Sequence, residues 1–269
     1  MFRLRASAIL GLALTMAALL PAPPAIAVTP EAKPVDHAAW TAILRAHVKP
    51  SADGVNRVDY VGLKAGGQDR LKAYLASLES APPSKMGPQA RKAYWINLYN
   101  AKTLDIVLAR YPVGSIRDIA LAGPDGKPGD GPWKAHVVTV EGRKLSLDDI
   151  EKAILVPQFK DVRVHYALNC LSIGCPNLLP EAFVASRIDR QLDGAARAFV
   201  NHPRGITIKP DRVDASSIYE WYRQEFGGFK GVVAHLSRYA RPELRRQLAT
   251  LKKVDAYDYD WQLNDAAKK

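Results

Sequence analysis

An α+β fold, in one domain with a mostly antiparallel sheet flanked by helices, is predicted by three observations. Helical and strand-like hydrophobic periodicities are interleaved along the chain. Two of the strand-like stretches return through short turns, at 136–145 and 206–214, and so read as hairpins. No internal repeat and no sharp break in composition divides residues 36–269.

The 269 residues begin with a segment that reads as a leader. Arg3 and Arg5 precede an apolar run from Ala8 to Leu20, and Ala25-Ile26-Ala27 supplies small residues for a cut after Ala27. The run is shorter than the roughly 20 residues of a spanning helix, so a cleaved secretory signal is predicted over 1–27 and no membrane span after cleavage. Residues 28–35, rich in Pro and Ala, read as a linker, and 36–269 as the globular domain. The mature protein is expected in the periplasm or outside the cell.

The remaining elements follow in order. Asp36 caps a helix carrying Trp40, Ile43, Leu44 and Val48 up to Pro50. Val55 to Tyr60 alternates loosely as a short strand, and Leu71, Leu75 and Leu78 share a face of a helix over 68–78. Pro88 opens a helix that runs to about Arg110 and is apolar nearly all round, so it is expected to be buried. The Gly/Pro/Asp-rich stretch 120–131 is a loop that matches neither a phosphate loop nor a calcium hand. Ser146 and Asp149 form a capping box for a helix through Leu155 that carries Glu151. Val162 to Leu168 alternates as a strand, with His165 and Asn169 on one face. Helices follow over 180–199, after Ser216 or Ser217, and over 232–239 and 242–251.

Net charge is +11, and +9 once Arg3 and Arg5 leave with the signal. The basic residues are spread along the chain, which fits a solvated surface. Zinc-finger spacing and RNA-recognition signatures are missing, so no nucleic-acid partner is predicted. No cofactor is called for.

Chemistry concentrates in RVHYALNCLSIGCPNLL at 163–179, which holds both cysteines, Cys170 and Cys175, with His165 and Asn169. A bridge between the cysteines would close a very small loop with little entropic gain and possible strain, so a free thiol or a redox pair stays open beside a structural staple. A nucleophilic thiol needs a lowered pKa, which an imidazolium supplies. Cys175 or Cys170 would serve as nucleophile and His165 as base; Asn169, Asn97 or Asn100 would orient the base or stabilise an oxyanion, or Glu151 would orient the imidazole instead. Along a strand, His165 and Cys170 stand about 17 Å apart, so the backbone must turn back after Asn169. Asn97 and Asn100, buried amides on the long helix, either bracket neighbouring loops or contact substrate.

Three segments, AYWINLYNAKTL at 93–104, LSLDDIEKAIL at 145–155 and VHYALNCLSIGCPNLLPEAF at 164–183, resemble the family of domains of unknown function DUF547. SSIYEWYRQEFG at 216–227 and YDYDWQLN at 257–264 resemble it too. The resemblance implies that Asn97, Asn100, Glu151, His165, Asn169, Cys170, Cys175 and Pro176 are family-pattern positions. Where the family commonly has a histidine after the glutamate, this chain has Lys152, so that histidine's role does not carry over. The resemblance implies no substrate.

Three functions remain in view. The first is a thiol-dependent hydrolase or transferase acting on amide or peptide-like bonds. The second is a non-enzymatic binding module for a peptide or acidic polymer, its groove lined by Trp133, Trp221 and Trp261. The third is a metal site of His165, Cys170 and Cys175 with Glu151 or His136 as a distant fourth ligand. A small-molecule or peptide-like ligand is the expected partner.

Overall fold

A computed structural model describes residues 33–268. The predicted leader and residues 28–32 of the predicted linker lie outside the described residues.

Nine α-helices are found among the described residues: α1 (Ala38–His47), α2 (Tyr60–Gly66), α3 (Gln68–Glu79), α4 (Pro88–Arg110), α5 (Val156–Phe159), α6 (Ile188–Val200), α7 (Ile218–Trp221), α8 (Gly228–Tyr239) and α9 (Pro242–Leu248). Seven short strands accompany them: β1 (Val48–Lys49), β2 (Arg57–Val58), β3 (Val138–Val140), β4 (Arg143–Leu145), β5 (Ile206–Ile208), β6 (Val213–Ser216) and β7 (Ala256–Asp258). The fold is mixed, as expected, but helix takes 49% and strand only 11%. No sheet is therefore large enough to be flanked. The strands form pairs β1-β2 and β3-β4 and a three-stranded sheet β5-β6-β7, whose β6-β7 pair is parallel.

Helix α4 is the axis of the larger core. Pro88 stands at its first turn, and Tyr94, Ile96, Leu98, Ala101, Leu104, Val107 and Leu108 are buried on all sides of it. It packs against α3 and the turns Asp149–Leu155, and it shares one buried cluster with α1, the β3-β4 hairpin and the cysteine segment. A second cluster gathers Tyr166, Phe199, Tyr219, Phe226, Leu236 and Tyr239 from α6, α7, α8 and their connections. The chain passes from one cluster to the other between Tyr166 and Ala167.

Two predicted elements change form. Residues 162–168 are not a strand: Val162–Tyr166 is a 3-10 helix capped by Asp161, whose side chain accepts from the Arg163 N–H at 3.1 Å. Val164 to Leu168 are all buried, so their alternation does not separate a wet face from a dry one. The helix over 180–199 starts only at Ile188, because 182–184 is held extended. Asn97 accepts from the Phe183 N–H at 3.0 Å and donates to the Phe183 carbonyl at 2.7 Å, while Gln191 accepts from the Val184 N–H at 3.0 Å. The capping box is present, Ser146 and Asp149 exchanging hydrogen bonds at 2.9 and 3.0 Å. The turns that follow widen into a π-helix, Asp149–Leu155, which carries Glu151.

The cysteine segment has no sheet to satisfy its backbone, so side chains do it. Asn100 donates to the Ala167 carbonyl at 2.8 Å and accepts from the Asn169 N–H at 2.9 Å. Asn169 in turn accepts from the Leu171 N–H at 2.7 Å and donates to the Pro176 carbonyl. Replacing Asn100 by Ala leaves two buried backbone groups unpaired, so Asn100→Ala is expected to cost about 2–4 kcal/mol of stability. The check is a lower urea midpoint at unchanged slope, and a loss under about 0.5 kcal/mol contradicts the bracket.

Candidate active site

The cysteine loop turns back as soon as it leaves the 3-10 helix. Leu171 sits in the left-handed region at φ 62°, a conformation that costs a branched side chain energy and persists where surroundings fix it. Its carbonyl accepts from the Asn264 N–H at 2.9 Å and its N–H is held by Asn169. The Cys175 N–H then closes on the Ser172 carbonyl at 3.1 Å.

The segment Tyr259–Asp265 straps this loop down. Ser172 pairs with Leu263, Ile173 N–H donates to the Gln262 carbonyl at 2.8 Å, and Gly174 N–H to the Asp260 carbonyl at 2.8 Å. Gly174 has to be glycine here, since a Cβ would stand 2.7 Å from the Asp260 nitrogen. The strap is itself anchored by Tyr60 to Asn264 at 2.7 Å and Tyr111 to Asp265 at 2.9 Å. On the far side, the Arg204 guanidinium donates to the Ile173 carbonyl at 2.8 Å and to Asn177 at 2.6 Å.

This folding brings both sulfurs together as free thiols, 2.9 Å apart. The Cys170 N–H donates to Cys175 Sγ at 3.0 Å. Cys170 Sγ is further contacted by the Tyr259 hydroxyl at 2.9 Å and the Ser172 hydroxyl at 3.4 Å. Burial pushes both thiols up, but they part company. Hydrogen bonds from Cys175, Ser172 and Tyr259 outweigh burial at Cys170 and bring it down to about 7. Cys175 has burial and the neighbouring Cys170 against its ionisation and is held well above the ordinary thiol range. Of the two sulfurs, Cys170 is thus the one whose surroundings favour ionisation and Cys175 the one whose surroundings oppose it.

Both sulfurs line a cavity of about 410 Å³ at the seam between the two cores. His165 and Glu151 lie on its wall, with Tyr99, Leu168, Pro176 and Tyr222. His165 is sandwiched between carboxylates: Nε2 is 2.6 Å from Glu225 and Nδ1 3.5 Å from Glu151, the second contact lacking the alignment of a hydrogen bond. Its ring stacks on Tyr222 at 3.7 Å between centroids. Burial lowers the His165 pKa, yet Glu151 and Glu225 more than reverse this and hold it above the usual 6.5. Burial raises Glu151, but His165 and the Tyr222 hydroxyl keep it below its ordinary value. His165 and Glu151 thus each favour the charged form of the other.

The rest of the cavity is aromatic. Trp133, Trp221, Tyr259 and Trp261 contact one another at centroid distances of 4.6–5.7 Å. Trp221 is 48% exposed, a large apolar surface left open at the rim. Gly131, at φ 91°, lets the chain pass beneath the Trp133 ring. Asp130, Asp148 and Lys152 complete the rim. Asp130 grips Arg117, whose guanidinium lies 5.3 Å over Trp261, and Lys152 pairs with Asp148 at 2.9 Å.

Of the residues singled out by sequence, Cys170, Cys175, His165 and Glu151 meet at this cavity. Neither sulfur is hydrogen-bonded to the His165 ring, whose nitrogens face carboxylates instead. Asn97, Asn100 and Asn169 do not line the cavity. Their amides are the brackets described above, so they position the loop and make no contact within the cavity. Among the described residues no group of three or more His, Cys, Asp or Glu side chains is arranged to hold a metal ion, and His136 is exposed on the hairpin side. Glu225, Tyr222, Tyr259 and Ser172 were not singled out from sequence. Three of them sit in the later resembling segments, but nothing local indicates that Glu225 reaches back 60 residues to His165.

Fold and site together define an α+β protein with a buried, unequal pair of thiols under an aromatic-walled cavity. Residues 83–200 match the model of a family described as protein of unknown function, DUF547, the family that the sequence resembles. No curated protein and no solved structure matches the chain. No helix among the described residues is long and apolar enough to cross a membrane.

Two pH effects follow. Alkylation of the native protein by iodoacetamide is expected at Cys170 alone, rising through a midpoint near pH 7. Tyr259→Phe removes one donor to the thiolate and moves that midpoint up by about one pH unit. Equal labelling of both cysteines contradicts the assignment. For His165, a folded pKa above the unfolded 6.5 means that its stabilisation is complete below pH 6.5 and is lost as pH rises through the folded value. Thermal melts of the wild type and His165→Gln therefore converge as pH is raised from 6 to 9; a constant gap contradicts the charged imidazole.

Proposed function

We propose that this is an exported thiol-dependent hydrolase or transferase acting on amide or peptide-like bonds, with Cys170 as nucleophile. The observation that carries the proposal is the Cys170 sulfur, within hydrogen-bonding reach of the Cys175 thiol and the Ser172 and Tyr259 hydroxyls, in a cavity whose wall also carries His165 between two carboxylates that favour its protonation. A thiolate formed by its own hydrogen bonds needs no base to start the reaction. This alters the role of His165 from base to acid.

In this reading the Cys170 thiolate attacks the carbonyl carbon of a bound amide. The C–N bond breaks, a thioester forms on Cys170, and the departing amine takes the proton of His165. Water, or an acceptor amine in a transferase, then attacks the thioester. His165 takes up the proton that this nucleophile gives up, and Cys170 leaves as thiolate. Glu151 and Glu225 keep the imidazole charged and oriented between the two steps. The cavity volume suits a peptide-sized group, and Trp133, Trp221 and Trp261 offer flat apolar faces to the part of the ligand beyond the reacting bond. The leader-like start of the sequence supports export to the periplasm or beyond, where the substrate would be met.

The same tryptophans support a second reading, a binding module without catalysis. The two are separated by one experiment with a panel of fluorogenic peptidyl amides. The catalytic reading expects turnover, an acyl adduct on Cys170 by intact-mass spectrometry, and a fall in kcat of roughly 1,000-fold or more in Cys170→Ser. Trp221→Ala is expected to raise KM with little change in kcat. Binding that survives in the Cys170→Ser, Cys175→Ser double variant, with no turnover in the wild type, selects the binding module instead.

A further inference from the structure

Acyl transfer needs one sulfur, and this cavity holds two. Cys175 lies 2.9 Å from Cys170, lines the same cavity, and is anchored at both its backbone and its sulfur. A sulfur–sulfur bond is about 2.05 Å long, so the two atoms need approach by less than about 1 Å to be joined. The sequence already argued that so short a loop is a poor structural staple, and the geometry adds a reason for the bond to be a temporary one. Three donors converge on Cys170 when it is a thiolate. Oxidation removes that negative charge and leaves the Ser172 and Tyr259 hydroxyls facing a weak acceptor. The reduced form is thus the better solvated by the protein, and the oxidised form is easily reduced.

We propose that Cys175 is a resolving thiol and that the pair forms a thiol–disulfide exchange site, whose co-substrate is a disulfide able to enter the cavity. It rests on the reading that Cys170 is the reactive thiolate, and goes beyond acyl transfer. The Cys170 thiolate attacks one sulfur of the incoming disulfide, forming a mixed disulfide and releasing one thiolate. Cys175, which gives its proton to that departing thiolate, then attacks the Cys170 sulfur. The Cys170–Cys175 bond forms, the mixed disulfide breaks, and a second thiolate leaves and is protonated by solvent. The two cysteines are oxidised by two electrons and the co-substrate is reduced to two thiols. The bridged form has no nucleophile for acyl transfer.

The test uses the reduced protein, freed of reductant, exposed to excess oxidised glutathione, quenched in acid and weighed intact. The wild type is expected to lose two hydrogens with no lasting adduct, and to regain them with dithiothreitol. Cys175→Ser is expected to retain one glutathionyl group on Cys170, and Cys170→Ser to react at least tenfold more slowly. A stable glutathionyl adduct on the wild type, matching that of Cys175→Ser, overturns the proposal. So does a wild type that stays reduced while Cys170 is alkylated rapidly, a result that leaves the acyl-transfer reading standing. Bridge formation without any amide turnover sustains exchange and removes acyl transfer. Because the deciding comparison is made on the wild type, a variant that fails to fold does not spare the proposal.

Discussion

Everything at the cavity depends on two amide side chains of α4: Asn100, which enters the cysteine segment, and Asn97, which holds the chain beyond it at Phe183. That segment is irregular and buried, and from Ala167 to Asn169, ahead of its pairing with the strap, its peptide groups have no strand partner. An unpaired buried peptide group costs about as much as a lost hydrogen bond, and several in a row would be prohibitive. Asn97 and Asn100 supply what a neighbouring strand would have supplied, one donor and one acceptor each, from a helix otherwise devoted to packing. Because the helix is rigid, the loop inherits its rigidity. A turn with Leu171 in a left-handed conformation can then be held, and with it the approach of two sulfurs.

Much of this was legible in the sequence, and the limits have physical causes. The ends of α4, the β3-β4 hairpin and the Ser146–Asp149 box are written in local signals, a proline, a turn and a cap, and they form where those signals stand. The stretch 162–168 misleads because period-two alternation implies a strand only where one face meets solvent. Here both faces are buried, and an Asp161 cap tips the segment into a 3-10 helix. That change also answers the distance problem that a strand would have posed. A 3-10 helix advances about 2 Å per residue against about 3.3 Å in a strand, so His165 is drawn toward the loop. Among the described residues no strand exceeds four residues, and in place of the expected sheet there are three small ones.

The site was half visible for the same reason. Cys170, Cys175 and His165 stand together in sequence and meet at one cavity. Their electrostatics come from elsewhere: Glu225, Tyr222 and Tyr259 arrive from segments 57 to 89 residues further along the chain. These partners divide the labour between like groups. One thiol is pushed down and its twin up, and one histidine is pushed up in a place where burial alone would have pushed it down. Groups of similar intrinsic acidity driven apart by their surroundings are a recurrent mark of acid–base assignment in enzymes.

The strap from Tyr259 to Asp265 has a bearing on order in time. Cys170 and the Tyr259 hydroxyl are separated by 89 residues, and the contacts that seat Ile173 and Gly174 are made by the same late segment. Contacts so distant along the chain form after local ones, since the intervening loop must first be closed. While the strap is still undocked the thiols lack the Tyr259 hydroxyl and its charge-stabilising bond, and they behave more nearly as unactivated sulfhydryls. If Cys170 is the nucleophile proposed above, maturation of the chain and arming of its sulfur are one event, and a nascent or half-folded molecule is spared a reactive thiolate that its own folding has not yet enclosed.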